Sequence, residues 1–255
     1  EWVGILHLTP NVPDYLKILE VDKLLKNKNF IISLKKCKCL VVLSKYMERY
    51  LKNRININIK FIKHPVDMTI KKFDFSYFSD QNWSLVQLGQ QLRFTTTIYT
   101  IKSPYPKKWL PGTKDLDKMK SIVKKESEWL NIDIGIDINW GDVDIVYTHS
   151  YKQYDTIITS NIIIINLINA SANNSVLELI SSETPFFINR IDPVEEYLGK
   201  DYPMFFDDIE EVERILGNKT DMLEIYRKTN YYLKNIDKED ISFEVFYSEL
   251  LKVIN

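Results

Sequence analysis

The sequence of 255 residues predicts an α/β protein built on parallel sheets. Short apolar strands alternate with amphipathic helical segments along almost the whole chain, and several strands are rich in Val and Ile with little polar alternation. Such strands are typical of a parallel sheet that is buried on both faces. Strand and helix alternation of this kind requires right-handed crossover connections, so we predict a doubly wound architecture.

The predicted elements follow one another in a regular order. The apolar runs predict strands at 3–7, 40–43, 57–62, 85–88, 98–102, 143–148, 162–167 and 185–189. The amphipathic segments between them predict helices at 44–52, 115–130, 150–159, 175–182, 193–198 and 208–216. Two further helices, at 221–234 and 239–253, close the chain without an intervening strand.

A domain boundary is predicted just after the strand at 57–62. His64 is followed by the helix-breaking Pro65, and an irregular aromatic stretch at 73–78 comes before the next strand. Residues 1–67 are too few for an ordinary doubly wound domain, whereas 68–238 can form a complete one. We expect the last segment, 239–255, to pack back onto the first part as a helix.

Composition excludes several classes of protein. The net charge of −1 gives no basic excess for nucleic acid, and two cysteines exclude a disulfide scaffold. Three histidines argue against a multi-histidine metal site, and seven glycines leave little room for a Gly-rich phosphate loop. The longest apolar run, 162–165, is far shorter than the roughly 20 residues of a membrane span.

The first residues form a strand and carry none of the features of a signal peptide, so we expect a cytoplasmic protein. Because the chain starts inside a strand, we expect the first domain to be incomplete. An exposed strand edge is a pairing liability, which predicts that another chain or a further segment covers it.

The segment 161–199 carries most of the functional information. A buried strand leads into a loop of small and polar residues at 169–174, and the next helix carries Glu178. Ligands of doubly wound sheets bind beyond the carboxyl ends of the strands, where helix N–H groups also bind anions. Glu178 can therefore accept hydrogen bonds from a ribose. Alternatively, Ser175 and Glu178 form a capping box with no role in binding.

The same segment, with Pro185 seven residues after Glu178, resembles the second domain of retaining GT-B glycosyltransferases. Further similarities lie at 5–10, 40–46, 62–67 and 87–93, so the resemblance extends over nearly the whole chain. It is closest to uncharacterised glycosyltransferases of AT-rich genomes, including large DNA viruses. The resemblance implies a GT-B-like fold, in which a Rossmann-like parallel sheet domain follows a partial first Rossmann-like domain on the acceptor side.

The resemblance also assigns functions to individual residues. His7 takes a catalytic position beside the sugar, although it can be structural. Glu195, the catalytic candidate, and Glu196 lie where the family has an acidic residue near the sugar, although both can serve the helix dipole. Arg93 is either a diphosphate clamp or a surface residue, and Tyr147 contacts the base or belongs to the core. The implied donor-binding residues are Gly89, Gln90, Arg93, Tyr147, Ser171, Ala172, Asn173, Asn174, Ser175 and Glu178.

Two positions depart from the family pattern. Ala170 stands where the first carboxylate of an E-x7-E pair is expected, so Asn169, Ser171 or Asn173 can take its place. The usual Arg and Lys pair after the first strand of the second domain is reduced to Arg93, with Lys102 as the other candidate.

The resemblance implies a hexosyltransferase-like enzyme that transfers a sugar from a UDP- or GDP-linked donor to a glycan or protein acceptor, with retention. We expect no cofactor and no metal, and we discount the D-x-D triplet at 142–144 as a metal motif. The alternative is a catalytically degenerate nucleotide-binding or interaction module, which Ala170 favours.

Overall fold

A computed structural model describes residues 1–255 and contains two parallel sheets. The first sheet has three strands, β1 (Trp2–Leu6), β2 (Cys37–Val42) and β3 (Ile59–Phe61), which lie in that order. The second sheet comprises β4 (Leu85–Leu88), β5 (Lys107–Leu110), β6 (Val143–Ile145), β7 (Ile162–Ile165), β8 (Phe186–Asn189) and β9 (Phe205–Phe206). Its strand order is β6-β5-β4-β7-β8-β9, and all neighbours are parallel. The predicted α/β class with parallel sheets is confirmed.

Twelve α-helices connect and cover the strands. Those around the first sheet are α1 (Val21–Leu25), α2 (Lys28–Leu34) and α3 (Lys45–Lys52). They are followed by α4 (Phe75–Ser79), α5 (Thr97–Thr100), α6 (Leu116–Leu130), α7 (Tyr151–Ser160), α8 (Asn174–Ser182) and α9 (Asp192–Leu198). The chain closes with α10 (Ile209–Leu216), α11 (Lys219–Asn235) and α12 (Phe243–Ile254).

The central position predicted for the strand at 162–167 is confirmed. β7 lies between β4 and β8, and its four isoleucines are fully buried. It belongs to an apolar core of 40 residues around the second sheet, whereas only seven residues form the core beside the first sheet. The second sheet therefore holds most of the apolar burial that stabilises the protein.

One predicted strand is wrong, and two strands were not predicted. Residues predicted as a strand at 98–102 form the end of the short helix α5 and the turn after it, because the Glu126 carboxylate accepts hydrogen bonds from the N–H groups of Thr95 and Thr96. Strand β5 was not predicted because it begins with Lys107 and Lys108, whose charged side chains interrupt an apolar run. Strand β9 has only two residues.

The first sheet ends at β1, whose outer edge has no strand partner. Coverage of this edge by another chain or segment stays a prediction. Helix α12 forms an ion pair with β3, in which the Lys60 Nζ lies 2.8 Å from the Glu249 Oε2. None of the helices is both long enough and apolar enough to cross a membrane.

Candidate functional site

The carboxyl ends of β4 and β5, the segment after β6 and the start of α8 enclose a cavity of about 240 Å³, here called the first cavity. Its lining includes Gly89, Gly112, Lys114, Tyr147, Tyr154 and Ser175. A second cavity of about 330 Å³ lies between the segment after β3 and helices α7 and α8. It is lined among others by His64, Asp67, Tyr154, Asp155, Asn174 and Glu178. Tyr154 lines both cavities.

Helix α8 directs its N-terminus at this region. Asn173 is its N-cap, and the Asn173 Oδ1 accepts a hydrogen bond from the Val176 N–H at 3.2 Å. The helix therefore starts at Asn174, and Ser175 lies inside its first turn. The capping box of Ser175 and Glu178 is consequently wrong, because Asn173 occupies the cap. The free N–H groups of the first turn give this end a partial positive charge.

Arg93 lies beside this helix end and is only 7% exposed. Its Nη2 donates to the Asn173 Oδ1 at 3.2 Å and to the Ser175 Oγ at 3.0 Å, while its Nη1 donates to the Gln91 carbonyl at 2.7 Å. The Nε has no partner, and none of the hydrogen-bond acceptors is a carboxylate. Burial lowers the pKa of Arg93 to about 10, so the side chain is charged at neutral pH.

The backbone around Arg93 is shaped for this placement. Gly89 has a φ of +71°, and a Cβ there would lie 2.7 Å from the Arg93 Cζ, so a side chain at this position would displace the guanidinium. Backbone hydrogen bonds from the Phe94 N–H to Asn166 and from the Ile168 N–H to Leu92 fix the loop against the chain that follows β7. The loop thus holds Arg93 at the carboxyl ends of β4 and β7.

Glu178 lies on α8 and accepts a hydrogen bond from the Tyr154 hydroxyl, with 2.6 Å between the Tyr154 Oη and the Glu178 Oε2. Burial raises the pKa of Glu178, and the Tyr154 hydroxyl and Arg93 oppose that rise. Burial is also the main cause of the raised pKa of Tyr154. The two side chains form a partly buried pair whose acceptor is the carboxylate.

The loop after β7 contains no carboxylate, unlike the acidic pair of the family pattern. Ala170 is buried, and the side chain of Asn169 donates to the Pro10 carbonyl at 2.7 Å and to the Tyr46 hydroxyl at 3.2 Å. Asn169 therefore joins this loop to the first sheet. Asn173 caps α8, whereas the Ser171 hydroxyl is buried and has no partner. Of the three candidates to replace the carboxylate, only Ser171 is uncommitted.

His7 follows β1 and faces His64, with the two ring centroids 5.5 Å apart in an edge-to-face arrangement. Burial lowers the pKa of both histidines, so they are neutral at pH 7. The His64 Nδ1 lies 2.7 Å from the Pro65 carbonyl. His64 lines the second cavity, and this places the histidine pair on the side of the site formed by the first sheet.

The two glutamates of α9 have different partners. The Glu195 Oε1 accepts from the Arg190 Nη1 at 2.8 Å, and Glu195 lines neither of the two cavities. Glu196 instead accepts hydrogen bonds from the N–H groups of Lys45 and Tyr46, at 2.6 and 2.7 Å. It therefore caps α3 and connects the two sheets, which Glu195 does not do.

The remaining predicted residues surround the site at different depths. Tyr147 lines the first cavity, and its buried hydroxyl has no partner. Asn174 lines the second cavity and is exposed. Gln90 and Ala172 line neither cavity, although the Gln90 Oε1 is buried and unpartnered.

The loop after β5 was missed in the sequence, although Gly112, Thr113 and Lys114 line the first cavity. A signal was present, because the dipeptide Pro111-Gly112 marks a turn directly after Trp109 and Leu110. Without a predicted β5 there was no strand end to which this turn belonged.

Two parallel sheets, with the N-terminus of helix α8 at the carboxyl edge of the second, define the class of fold. The chain has the GT-B fold of glycosyltransferases, in agreement with the sequence resemblance. No protein-family model and no curated protein matches the sequence.

Several solved structures share this fold. Sucrose-phosphate synthase from Thermosynechococcus elongatus has a TM-score of 0.65 and 9% identity, over 99% of this chain and 67% of that protein. HepE from Anabaena, solved with UDP-glucose, has a TM-score of 0.70 and 9% identity, over 99% of this chain and 71% of HepE. TarM from S. aureus, solved in a complex that contains UDP, has a TM-score of 0.66 and 12% identity, over 99% of this chain and 50% of TarM.

The chain spans between half and about seven tenths of the length of these proteins. At such low identity the similarity establishes the fold alone.

Proposed function

We propose that the protein is a glycosyltransferase that transfers a sugar from a nucleoside-diphosphate donor to a glycan or protein acceptor. The donor nucleotide occupies the first cavity, and the acceptor approaches from the first sheet. The fold supports this proposal, as do the ligands bound in two of the similar structures, UDP-glucose in HepE and UDP in TarM. Residues 1–67 then form the acceptor-side domain, and 68–238 form the donor-binding domain.

One observation carries the proposal: Arg93 is a buried cation without a carboxylate partner at the positive end of α8. Burying an unpaired charge is costly, so a fold keeps such a group where an anion completes it. The diphosphate of a nucleotide sugar supplies that anion. Its oxygens match the planar donor fork of arginine and the N–H groups of the helix.

The same groups provide the chemistry of sugar transfer. When the bond between the sugar and the diphosphate breaks, negative charge develops on the leaving phosphate. Arg93 lies behind Gly89 and Ser175 of the cavity lining, so the guanidinium and the first turn of α8 place positive charge beside that phosphate. Such preorganised stabilisation is usually the largest catalytic contribution. The proposal therefore needs no metal ion. Retention of the anomeric configuration follows the resemblance to the retaining branch.

The lining of the first cavity favours a uridine nucleotide over a guanosine nucleotide. None of the ten lining residues is an aspartate or a glutamate. Guanine carries an exocyclic amino group, a donor for which a carboxylate would be a strong acceptor. Uracil lacks this group. We therefore place UDP-linked sugars ahead of GDP-linked sugars as donors.

The direct test is Arg93→Ala, with binding of UDP, GDP and their nucleosides measured by calorimetry. A charge-assisted hydrogen bond is worth about 1.5–3 kcal/mol, so the dissociation constant of UDP should rise about 10- to 150-fold. The constant of uridine should hardly change, since it has no phosphate.

Arg190→Ala is the matched control, because Arg190 is bound to Glu195 away from both cavities. Thermal unfolding of each variant separates lost binding from lost folding, and Arg93→Lys retains the charge if the alanine variant is unstable. Equal loss of UDP and uridine binding would contradict the proposal.

The alternative function is a binding module of the same ancestry that holds a nucleotide without turnover. Ala170 favours it, because the loop after β7 offers no carboxylate and Asn169 is engaged with the first sheet. An assay of donor hydrolysis with a panel of UDP- and GDP-sugars separates the two functions. An enzyme releases the nucleotide over time, whereas a binding module shows affinity alone.

A further inference from the structure

Lys114 is the only charged residue that lines the first cavity. It lies in the loop between β5 and α6, is exposed, and takes part in none of the ion pairs that lysines form in this structure. The carboxylate of the next residue, Asp115, is engaged as the N-cap of α6, where its Oδ1 accepts from the Lys118 N–H at 2.9 Å. The wall of the cavity therefore carries a positive charge that pairs with no carboxylate of the chain.

The loop that carries Lys114 starts beside the loop that carries Arg93. At the carboxyl ends of the paired strands β4 and β5, the Gly89 N–H donates to the Leu110 carbonyl at 2.7 Å. Neighbouring strands lie about 4.8 Å apart, so the two loops leave the sheet next to each other. Gly112, with a φ of +78°, turns the second loop just before Lys114. The fold thus brings two cations from different loops to the same edge of the sheet.

Arg93 and Lys114 reach the cavity in different ways. Arg93 is buried behind Gly89 and Ser175, and both of its Nη atoms donate to acceptors within the protein. Its charge therefore acts on a ligand through the wall of the cavity. The Lys114 ammonium has three donors on a flexible stem, and the cavity is open to it, so it can contact a ligand directly.

We propose that Lys114 binds the diphosphate of the donor directly, from the side of the cavity formed by the loop after β5. This inference rests on the proposed function of the first cavity. It replaces the sequence expectation for Lys102 as the second cation. Lys102 follows α5, lines neither cavity, and places its Nζ 3.9 Å from the Glu213 Oε2.

The electrostatics of the cavity support a phosphate as the partner of Lys114. A diphosphate carries more than one negative charge, and none of the lining residues is an acid that would repel it. The strand order places the loop after β5 on one side of Gly89 and helix α8 on the other. Lys114 and the start of α8 therefore face a diphosphate above Gly89 from two sides, and a compact ammonium suits a phosphate oxygen.

The experiment compares Lys114→Ala with the wild type by calorimetry, using UDP and uridine at low salt and at about 1 M salt. At low salt the variant should bind UDP about 5- to 10-fold more weakly, a smaller loss than for Arg93→Ala because water screens an exposed charge. Uridine binding should not change, since uridine has no phosphate. The loss of UDP binding should shrink at about 1 M salt, where the screening length falls to about 3 Å.

Lys118→Ala is the matched control, because Lys118 is an exposed lysine of α6 that lines neither cavity. This variant should bind UDP like the wild type, and so should Lys102→Ala. Lys114→Arg should retain most of the affinity for UDP, since it keeps the positive charge. A merely structural role of Lys114 would weaken uridine as well as UDP and would not depend on salt.

Unchanged UDP binding by Lys114→Ala would overturn the inference. Equal loss of UDP and uridine binding would also overturn it, because Lys114 would then act on the nucleoside. In either case UDP binding by the wild type that depends on Arg93 leaves the proposed function intact. A wild type that does not bind UDP overturns both.

Discussion

Glu178 and Arg93 are opposite charges that the fold keeps apart. Arg93 contacts Ser175 and Glu178 contacts Tyr154, so neither charge neutralises the other directly. A direct ion pair would satisfy both side chains and leave nothing for an anionic ligand. Spacing the charges with hydroxyl groups leaves the guanidinium without a carboxylate partner, as the proposed diphosphate site requires.

The titration of Glu178 gives a prediction for stability. Burial raises its pKa above the ordinary value of 4.5, so the folded state binds this proton more tightly than the unfolded state. The stability that the protonated Glu178 contributes is therefore complete below pH 4.5 and is lost as the pH rises through the folded-state pKa of Glu178. Relative to Glu178→Gln, the wild type should lose stability over that acid range and then stay level.

Urea unfolding of both proteins between pH 4 and pH 8 measures this difference. The free energy of unfolding of the wild type, minus that of Glu178→Gln, should fall with rising pH. A difference that rises with pH would mean that the hydrogen bond from Tyr154 outweighs burial in setting the pKa.

At the level of elements, one carboxylate on α6 determines the path of the chain after Arg93. Glu126 is fully buried and accepts hydrogen bonds from the N–H and hydroxyl groups of Thr95 and Thr96, at 2.7 to 2.9 Å. These bonds start α5 and turn the chain back toward β5. The loop that carries Arg93 is thus fixed from both sides.

Replacing Glu126 by alanine should destabilise the protein by about 3 kcal/mol or more. Each buried donor left without a partner costs about 1–3 kcal/mol, and the four donors of Thr95 and Thr96 and the Tyr15 hydroxyl lose their acceptor. Glu126→Gln should cost less, because one acceptor oxygen remains. Urea unfolding measures both variants, with Glu128→Ala at an exposed position of the same helix as the control. A loss equal to that of the control would contradict this role.

At the scale of the molecule, a few hydrogen bonds join a small first sheet to a large second one. The Tyr197 hydroxyl accepts from the His64 N–H at 2.9 Å and donates to the Leu43 carbonyl at 2.5 Å. Glu196 and Asn169 add contacts to α3 and to Pro10. With only seven buried core residues of its own, the first sheet depends on these contacts.

Tyr197→Phe should loosen the first sheet selectively. The change leaves the Leu43 carbonyl and the His64 N–H without this partner, at a cost of about 1–3 kcal/mol. Amide hydrogen exchange should then speed up in β2 more than in β7. Tyr231→Phe, at an exposed position of α11, should change neither strand. Equal acceleration in both strands would indicate that the two sheets unfold as one unit.

Local patterns were sufficient for much of the fold and for part of the site. The isoleucine run of β7, the small polar loop after it and the helix with Glu178 were all predicted, because each depends on residues close together in the chain. The run at 98–102 was misread, since its helical turn depends on Glu126, about 30 residues away. Strand β5 was missed because its first two residues are lysines.

The sequence by itself therefore determined the α/β class, the central strand and the helix that follows this strand and its polar loop, since these follow from apolar periodicity and from groups adjacent in the chain. Only the tertiary structure decided which side chains meet there. In the folded protein the Tyr154 hydroxyl donates to Glu178, and Asn169 donates to the Pro10 carbonyl after β1. Arg93 is buried without a carboxylate partner. Such contacts join residues 24 to 159 positions apart, and no local pattern encodes them.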